Sequence, residues 1–73
     1  MPPGDGNVKD PGTPGMKGPK LGTIEVTSYP EDPSIVGKDR KYQYSPNIDK
    51  GDDVSFELSN SNPNTLARNV RKI

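Results

Sequence analysis

The side chains of this sequence that could do chemistry are carboxylates, lysines, arginines and tyrosines, because its 73 residues include no histidine and no cysteine. This composition excludes imidazole bases, thiolate nucleophiles, disulfides and the metal ligands that His and Cys supply. Carboxylates cluster in two predicted turns, as Glu31-Asp32 and as Asp49 with Asp52-Asp53. Neither cluster comes with a nucleophile pattern or has the spacing of a calcium loop. The sequence therefore predicts a protein that is not an enzyme, with no catalytic residue, no metal site and no cofactor.

Two clusters of basic side chains are the candidates for contacts with phosphate groups. The first contains Lys38, Arg40 and Lys41, and the second contains Arg68, Arg71 and Lys72. They would act together only if the fold brings their strands side by side, and the alternative is ordinary solvated charge. Ten basic residues balance ten acidic ones, so the chain lacks the excess positive charge of a tight nucleic-acid binder.

The three tyrosines, Tyr29, Tyr42 and Tyr44, are the candidates for stacking on nucleic-acid bases. The alternative is that they cover the core of a β-structure and keep their hydroxyls in water, as half-buried strand tyrosines do. We favour this structural role for Tyr29 and Tyr42. For Tyr44 both roles stay open.

The chain divides into two parts by composition. Proline and glycine make up half of residues 1–20, so the segment has little apolar surface to offset the entropy of ordering it. Residues 1–21 are therefore predicted to be a disordered Pro/Gly-rich linker or tail. Residues 22–73 are predicted to form one small domain.

Short alternating segments from Gly22 onward predict strands. They are Thr23–Thr27, Ser34–Val36, Lys41–Tyr44, Asp53–Leu58 and Thr65–Ile73, with turns or loops at Tyr29–Pro33, Asp49–Asp52 and Ser59–Asn64. In Asp53–Leu58 the alternation places Val54, Phe56 and Leu58 in the core. For the last segment a helix is the less favoured alternative. Five short strands with Gly and Pro turns favour an all-β fold, a small five-stranded OB-type β-barrel.

Several motifs resemble those of the cold-shock domain. Gly51-Asp52-Asp53-Val54-Ser55-Phe56 and Ala67-Arg68-Asn69-Val70 are similar to the family's closing Gly-Asp-x-Val-x-Phe and Ala-x-Asn-Val. Gly22-Thr23-Ile24 resembles its Gly-Thr-Val opening, and Tyr42-Gln43-Tyr44-Ser45 resembles its third-strand Val-His-Tyr-Ser. The resemblance covers residues 22–73. It implies a five-stranded OB-type barrel that binds single-stranded nucleic acid.

The departures from that family lie where its members stack bases on the aromatic side chains of their first three strands. Glu25-Val26-Thr27 replaces the family's Lys-Trp-Phe, and residues 32–36 have no counterpart to its Lys-Gly-Phe-Gly-Phe motif. Lys41 and Gln43 stand where the family has Phe and His, and only Tyr44 matches a base-contacting aromatic. Each lost stack costs about 1–3 kcal/mol, which implies binding on the order of a hundred-fold weaker or more.

These features lead to the hypothesis of a degenerate cold-shock-like module, similar to those in multi-domain RNA-binding proteins of the upstream-of-N-ras type. It would support RNA binding by orienting neighbouring domains, or by weak backbone contacts through Tyr44 and the two basic clusters. The alternatives are a protein–protein interaction module on the same barrel and a conventional single-strand binder. The expected partners are RNA, adjacent cold-shock domains or another protein.

The same sequence predicts a cytoplasmic monomer that does not enter a membrane. No apolar run approaches the roughly 20 residues that span a bilayer. The opening Met1-Pro2-Pro3 does not resemble a signal peptide.

Overall fold

The structure of this protein is a computed structural model that describes residues 3–59 and 65–73. Its strands are β1 (Gly4–Asp10), β2 (Gly22–Ser28), β3 (Asp39–Tyr42), β4 (Asp53–Glu57) and β5 (Arg68–Lys72). One short 3-10 helix, Pro33–Ile35, lies between β2 and β3. In the described part of the chain, no helix is long and apolar enough to cross a membrane.

The strands form one antiparallel sheet in the order β3-β2-β1-β4-β5. β3 and β5 are the two ends of this sheet, and a parallel bridge joins Tyr42 of β3 to Ala67 just before β5. The Ala67 N–H donates to the Lys41 carbonyl at 2.9 Å. Because this contact joins the ends, the sheet curls into a half-barrel of OB type. The prediction of a small five-stranded all-β fold is confirmed.

The central strand of the sheet comes from the segment that the sequence predicted to be disordered. β1 pairs with β2 along one edge and with β4 along the other. The prediction of a disordered tail is therefore wrong for Gly4–Asp10. The prediction rested on the small number of apolar side chains in this segment. β1 is stabilised mainly by backbone hydrogen bonds to strands on both of its edges, which composition does not reveal.

The connection between β1 and β2, here called the β1–β2 loop (residues 11–21), is also held in place. Thr13 and Lys20 exchange two backbone hydrogen bonds, of 3.0 and 3.2 Å. The Asp10 carboxylate accepts from the Gly12 N–H at 2.9 Å and lies 2.7 Å from Lys20 Nζ. These contacts anchor the base of the loop to the barrel.

One predicted strand is wrong, since Ser34 and Ile35 belong to the 3-10 helix and Val36 is its C-cap. The Asp32 side chain accepts from the Ser34 N–H at 3.2 Å, and Pro33 supplies the fixed φ of a first helical turn. The strand predicted after Thr65 is confirmed at Arg68–Lys72. The predicted loop 59–64 lies, beyond Ser59, outside the described residues.

The core lies on the concave side of the sheet. Its buried hydrophobic residues are Val8, Ile24, Val26, Tyr29, Tyr42, Ile48, Val54, Phe56, Leu58 and Ala67. The inward positions predicted for Val54, Phe56 and Leu58 are confirmed. The rings of Tyr29 and Phe56 stack with their centroids 5.9 Å apart, which adds to the burial of both side chains.

Gly22 of β2 lies directly opposite Tyr42 of β3 and leaves room for the tyrosine ring. A Cβ at Gly22 would lie 2.4 Å from Tyr42 Cε1 and 2.8 Å from the Asp10 carbonyl oxygen. These distances are shorter than atoms can approach without displacement of the ring or of the backbone.

We expect Gly22→Ala to lower the free energy of unfolding by about 2 kcal/mol or more, because the core has no space for the added methyl group. Urea unfolding followed by circular dichroism measures this. Gly15→Ala is the matched control, since its nearest neighbours would lie 3.8 Å away. Equal stability of the two variants would contradict the packing described for Gly22.

Candidate nucleic-acid interface

The outer side of β2 and β3, here called the β2–β3 face, is the surface on which OB barrels bind oligonucleotides. Its outward side chains alternate with buried ones and are Thr23, Glu25, Thr27, Asp39 and Lys41. None of these is aromatic, so the β2–β3 face has no platform for stacked bases.

Charge divides the β2–β3 face into two ends. At one end Thr23 lies opposite Lys41, and the Lys41 ammonium donates to the Thr23 hydroxyl at 2.9 Å. At the other end Glu25 lies opposite Asp39, and Lys9 Nζ is 3.9 Å from a Glu25 carboxylate oxygen. A phosphate backbone would be attracted to the first end and repelled by the second.

The β1–β2 loop extends the basic end of this face. Lys20 and Lys17 are exposed, and so is Met16 between Pro14 and Pro19. The hydrogen bond from Lys20, together with that from the Gly12 N–H, holds the pKa of Asp10 below its usual value. Sequence reasoning missed this part of the interface because it assigned the loop to a disordered tail.

The first predicted basic cluster is divided by the fold. Lys38 and Lys41 are exposed, whereas Arg40 points inward opposite Ile24 and is 5% exposed. Arg40 is therefore not on the surface on which Lys38 and Lys41 lie. Lys38 also precedes Asp39 directly, at the acidic end of the face.

The second predicted cluster is exposed along β5. Arg68 lies opposite Glu57 and Arg71 opposite Ser55, while Lys72 Nζ is 3.8 Å from an Asp52 carboxylate oxygen. The Tyr42–Ala67 bridge is parallel, so it sends Lys38 and Arg71 to opposite ends and leaves Lys41 and Arg68 on either side of the bridge. The fold therefore does not bring the two clusters together as one surface.

The three tyrosines differ sharply in exposure. Tyr29 and Tyr42 are 7% and 0% exposed, so both are core residues as favoured, whereas Tyr44 is 37% exposed. The expectation that the hydroxyls stay in water is wrong for Tyr42, whose hydroxyl is buried. Burial raises the pKa of Tyr29, and the nearby Glu31 adds to this effect. Burial also raises the pKa of Tyr42, with smaller contributions from the negative charges of Asp10 and Asp52. Tyr44 alone of the three offers its ring to a ligand.

An open cleft of about 400 Å³ lies beside Tyr44. One wall contains Gln43 and Ser45, and the other is formed by residues 65–70. Its lining offers amide, hydroxyl and guanidinium groups that donate or accept hydrogen bonds. No group of three or more acidic side chains among the described residues is arranged so that it could hold a metal ion.

Comparisons with protein-family models, with curated proteins and with solved structures found no match to this chain. The fold therefore classifies the chain as a small all-β protein of OB type, at the level of architecture. What it binds has to be inferred from the β2–β3 face, the β1–β2 loop and the cleft.

The buried Tyr42 hydroxyl has no hydrogen-bond partner in the described part of the chain. An unsatisfied buried polar group costs about 1–3 kcal/mol, so we expect Tyr42→Phe to raise the free energy of unfolding by about 1 kcal/mol.

The pKa of Tyr42 is higher in the folded protein than in the unfolded chain. The free energy of unfolding therefore does not depend on Tyr42 ionisation below the pKa of an unfolded tyrosine. Above that pKa the unfolded state ionises first, so the free energy of unfolding falls as the pH rises.

Urea unfolding near neutral pH and at about pH 11 tests both effects. We expect the stability of the Tyr42→Phe variant to fall less at high pH than that of the parent chain. Tyr44→Phe is the control, because its side chain is at the surface. Destabilisation of Tyr42→Phe at neutral pH would show that the hydroxyl has a partner in solution.

Proposed function

We propose that this chain is a degenerate cold-shock-like module that makes weak contacts with single-stranded RNA and supports RNA binding within a larger protein. The observation that carries the proposal is an OB-type half-barrel whose β2–β3 face has kept a basic end and lost any aromatic platform. The module is a binding protein and not an enzyme. In this proposal it acts in the cytoplasm.

The proposed RNA contact is confined to the basic end of the face. Lys41 and Lys17 of the β1–β2 loop attract phosphates, whereas the charge of Lys20 is paired with Asp10. Tyr44 offers one exposed ring for stacking. Glu25 and Asp39 repel phosphates from the other end, so the footprint is a few nucleotides long. Arg40, being buried, has no part in it.

Weak binding of this kind can contribute to RNA binding when the module is covalently joined to another RNA-binding domain. A module attached to a domain already bound to the same RNA experiences a high effective concentration of the strand, so low intrinsic affinity is sufficient. The module then fixes the direction in which the strand leaves its neighbour.

We expect a titration of the ¹⁵N-labelled chain with a short single-stranded RNA to shift the amide signals of Lys41, Tyr44 and the β1–β2 loop. The dissociation constant should be on the order of 100 μM or weaker at low salt, because one stack and a few phosphate contacts replace a full platform. Tyr44→Ala should weaken binding by about fivefold or more, through loss of that stack.

Lys41→Gln and Lys38→Gln form a matched pair, since each removes one exposed lysine beside β3. We expect Lys41→Gln to reduce the slope of log affinity against log salt by about one, and Lys38→Gln to leave it unchanged. Shifts centred on Glu25 and Asp39, or no shifts at millimolar RNA, would contradict the proposed RNA contact.

A further inference from the structure

β5 has one paired edge and one open edge. Along the paired edge Arg68, Arg71 and Lys72 lie opposite residues of β4. On the other side the chain contacts β3 through Ala67, and from Arg68 to Lys72 no other strand lies beside it among the described residues. An edge of this kind presents backbone N–H and C=O groups to which an extended segment can add as a further strand.

The cleft beside Tyr44 runs along this open edge. Gln43 and Ser45 form its far wall, while residues 65–70 form its near wall. Leu66 and Val70 are half-buried, and Val70 packs against the hydrophobic core. An extended segment in the cleft would therefore meet apolar side chains on its inner face.

A bulge in β5 sets the charge of its outer face. Ser55 and Glu57, two residues apart on β4, lie opposite Arg71 and Arg68, which are three residues apart. Asn69 lies in this bulge and has a left-handed backbone, with a φ of 52°. Its side-chain amide donates a hydrogen bond to the Glu57 carboxylate. The bulge thus places both arginines on the outer face of the sheet.

Arg68 lies opposite Glu57, but neither arginine forms a salt bridge within the described part of the chain. Its salt bridges there involve Lys9, Lys20 and Lys72. Arg68 and Arg71 therefore form a positive rim along the outer side of the open edge. Desolvated beside a carboxylate, a guanidinium forms strong bidentate hydrogen bonds.

We propose that the open edge of β5 binds an extended acidic segment of a partner protein, which adds to the sheet as an additional strand. Side chains of a strand alternate between its two faces. The segment therefore alternates acidic residues, which face Arg68 and Arg71, with apolar residues, which face Leu66 and Val70. This site adjoins the proposed RNA contact, since Gln43 and Ser45, which line the cleft, flank Tyr44 in the chain.

Two other occupants fit the edge less well. A second copy of this chain pairing through its own β5 would bring Arg68 and Arg71 of both copies onto one face, where like charges repel. An RNA strand would satisfy the arginines, but it has no peptide groups to complete the backbone ladder of the edge. The combination of an open ladder and a positive rim therefore favours an acidic peptide.

The experiment titrates the ¹⁵N-labelled 73-residue chain with an end-blocked peptide of alternating glutamate and valine, about eight residues long. We expect saturable shifts of the amide signals of Arg68–Lys72 and slower hydrogen exchange of the same amides. Two comparison peptides separate charge from strand pairing. One replaces every glutamate by lysine, and the other keeps the charge but carries an N-methyl group on every second residue.

Both comparison peptides should bind at least about tenfold more weakly, the first through charge repulsion and the second through loss of backbone hydrogen bonds. The double variant Arg68→Glu with Arg71→Glu should also weaken binding at least about tenfold. Its charge-matched control is Lys38→Glu with Lys50→Glu, two exposed lysines away from β5, which we expect to bind like the parent chain. The comparison of peptides uses the unmodified protein. It therefore tests the proposed strand addition even where the double variant fails to fold.

Four results would overturn the proposal. The first is the absence of saturable shifts, and the second is equal binding of the N-methylated peptide, which would reduce the site to charge attraction. The third is a concentration-dependent dimer in sedimentation with β5 signals shifted before peptide is added. The fourth is a short RNA that shifts the β5 signals and displaces the peptide, which would make the edge a nucleic-acid site.

Discussion

The fold depends on the approach of large side chains to the backbone of glycines on the concave side of the sheet. A Cβ at Gly4 would lie 2.5 Å from Tyr29 Cδ1, and one at Gly22 would lie 2.4 Å from Tyr42 Cε1. Each glycine thus gives its space to an aromatic ring. This arrangement explains how a chain with 26% hydrophobic residues buries a continuous core. The glycines of the central strand are part of that core although they contribute no side chain.

The sequence predicts the strands whose apolar side chains alternate and misses the one that lacks them. β2 and β4 show clear alternation and lie where predicted. In β1 the inward positions are Gly4, Gly6 and Val8, so that a single apolar side chain marks the whole strand. The signal that remains is the alternation of these small residues with polar ones. The count of five strands came out right because the missed β1 balanced the wrong strand at Ser34–Val36.

The same cause limits how much of the candidate site could be predicted. The resemblance aligns Gly22-Thr23-Ile24 with a first strand, whereas the structure places these residues in the second. The absence of aromatic residues from the β2–β3 face is therefore shown by the outward residues of β2 and β3 and not by that alignment. The sequence predicted Arg40 to lie at the surface. In a strand of four residues the sequence alone does not show which side chains point inward, and here the pairing of Arg40 with the buried Ile24 decides it. Tyr44 and Lys41 are exposed, and their role in binding stays a prediction.

Residues 4–10 form the middle strand of the sheet, and the β1–β2 loop and both proposed sites depend on this placement. Amide hydrogen exchange followed by NMR tests it most directly. The Val8 N–H donates to the Asp52 carbonyl at 2.9 Å, and the Gly51 N–H donates to the Val8 carbonyl at 2.8 Å. We expect both amides to exchange about a thousand-fold or more slowly than in an unstructured chain, with protection similar to that of Val26 in β2. Exchange of residues 4–10 at the unprotected rate, beside a protected β2, would contradict this structure.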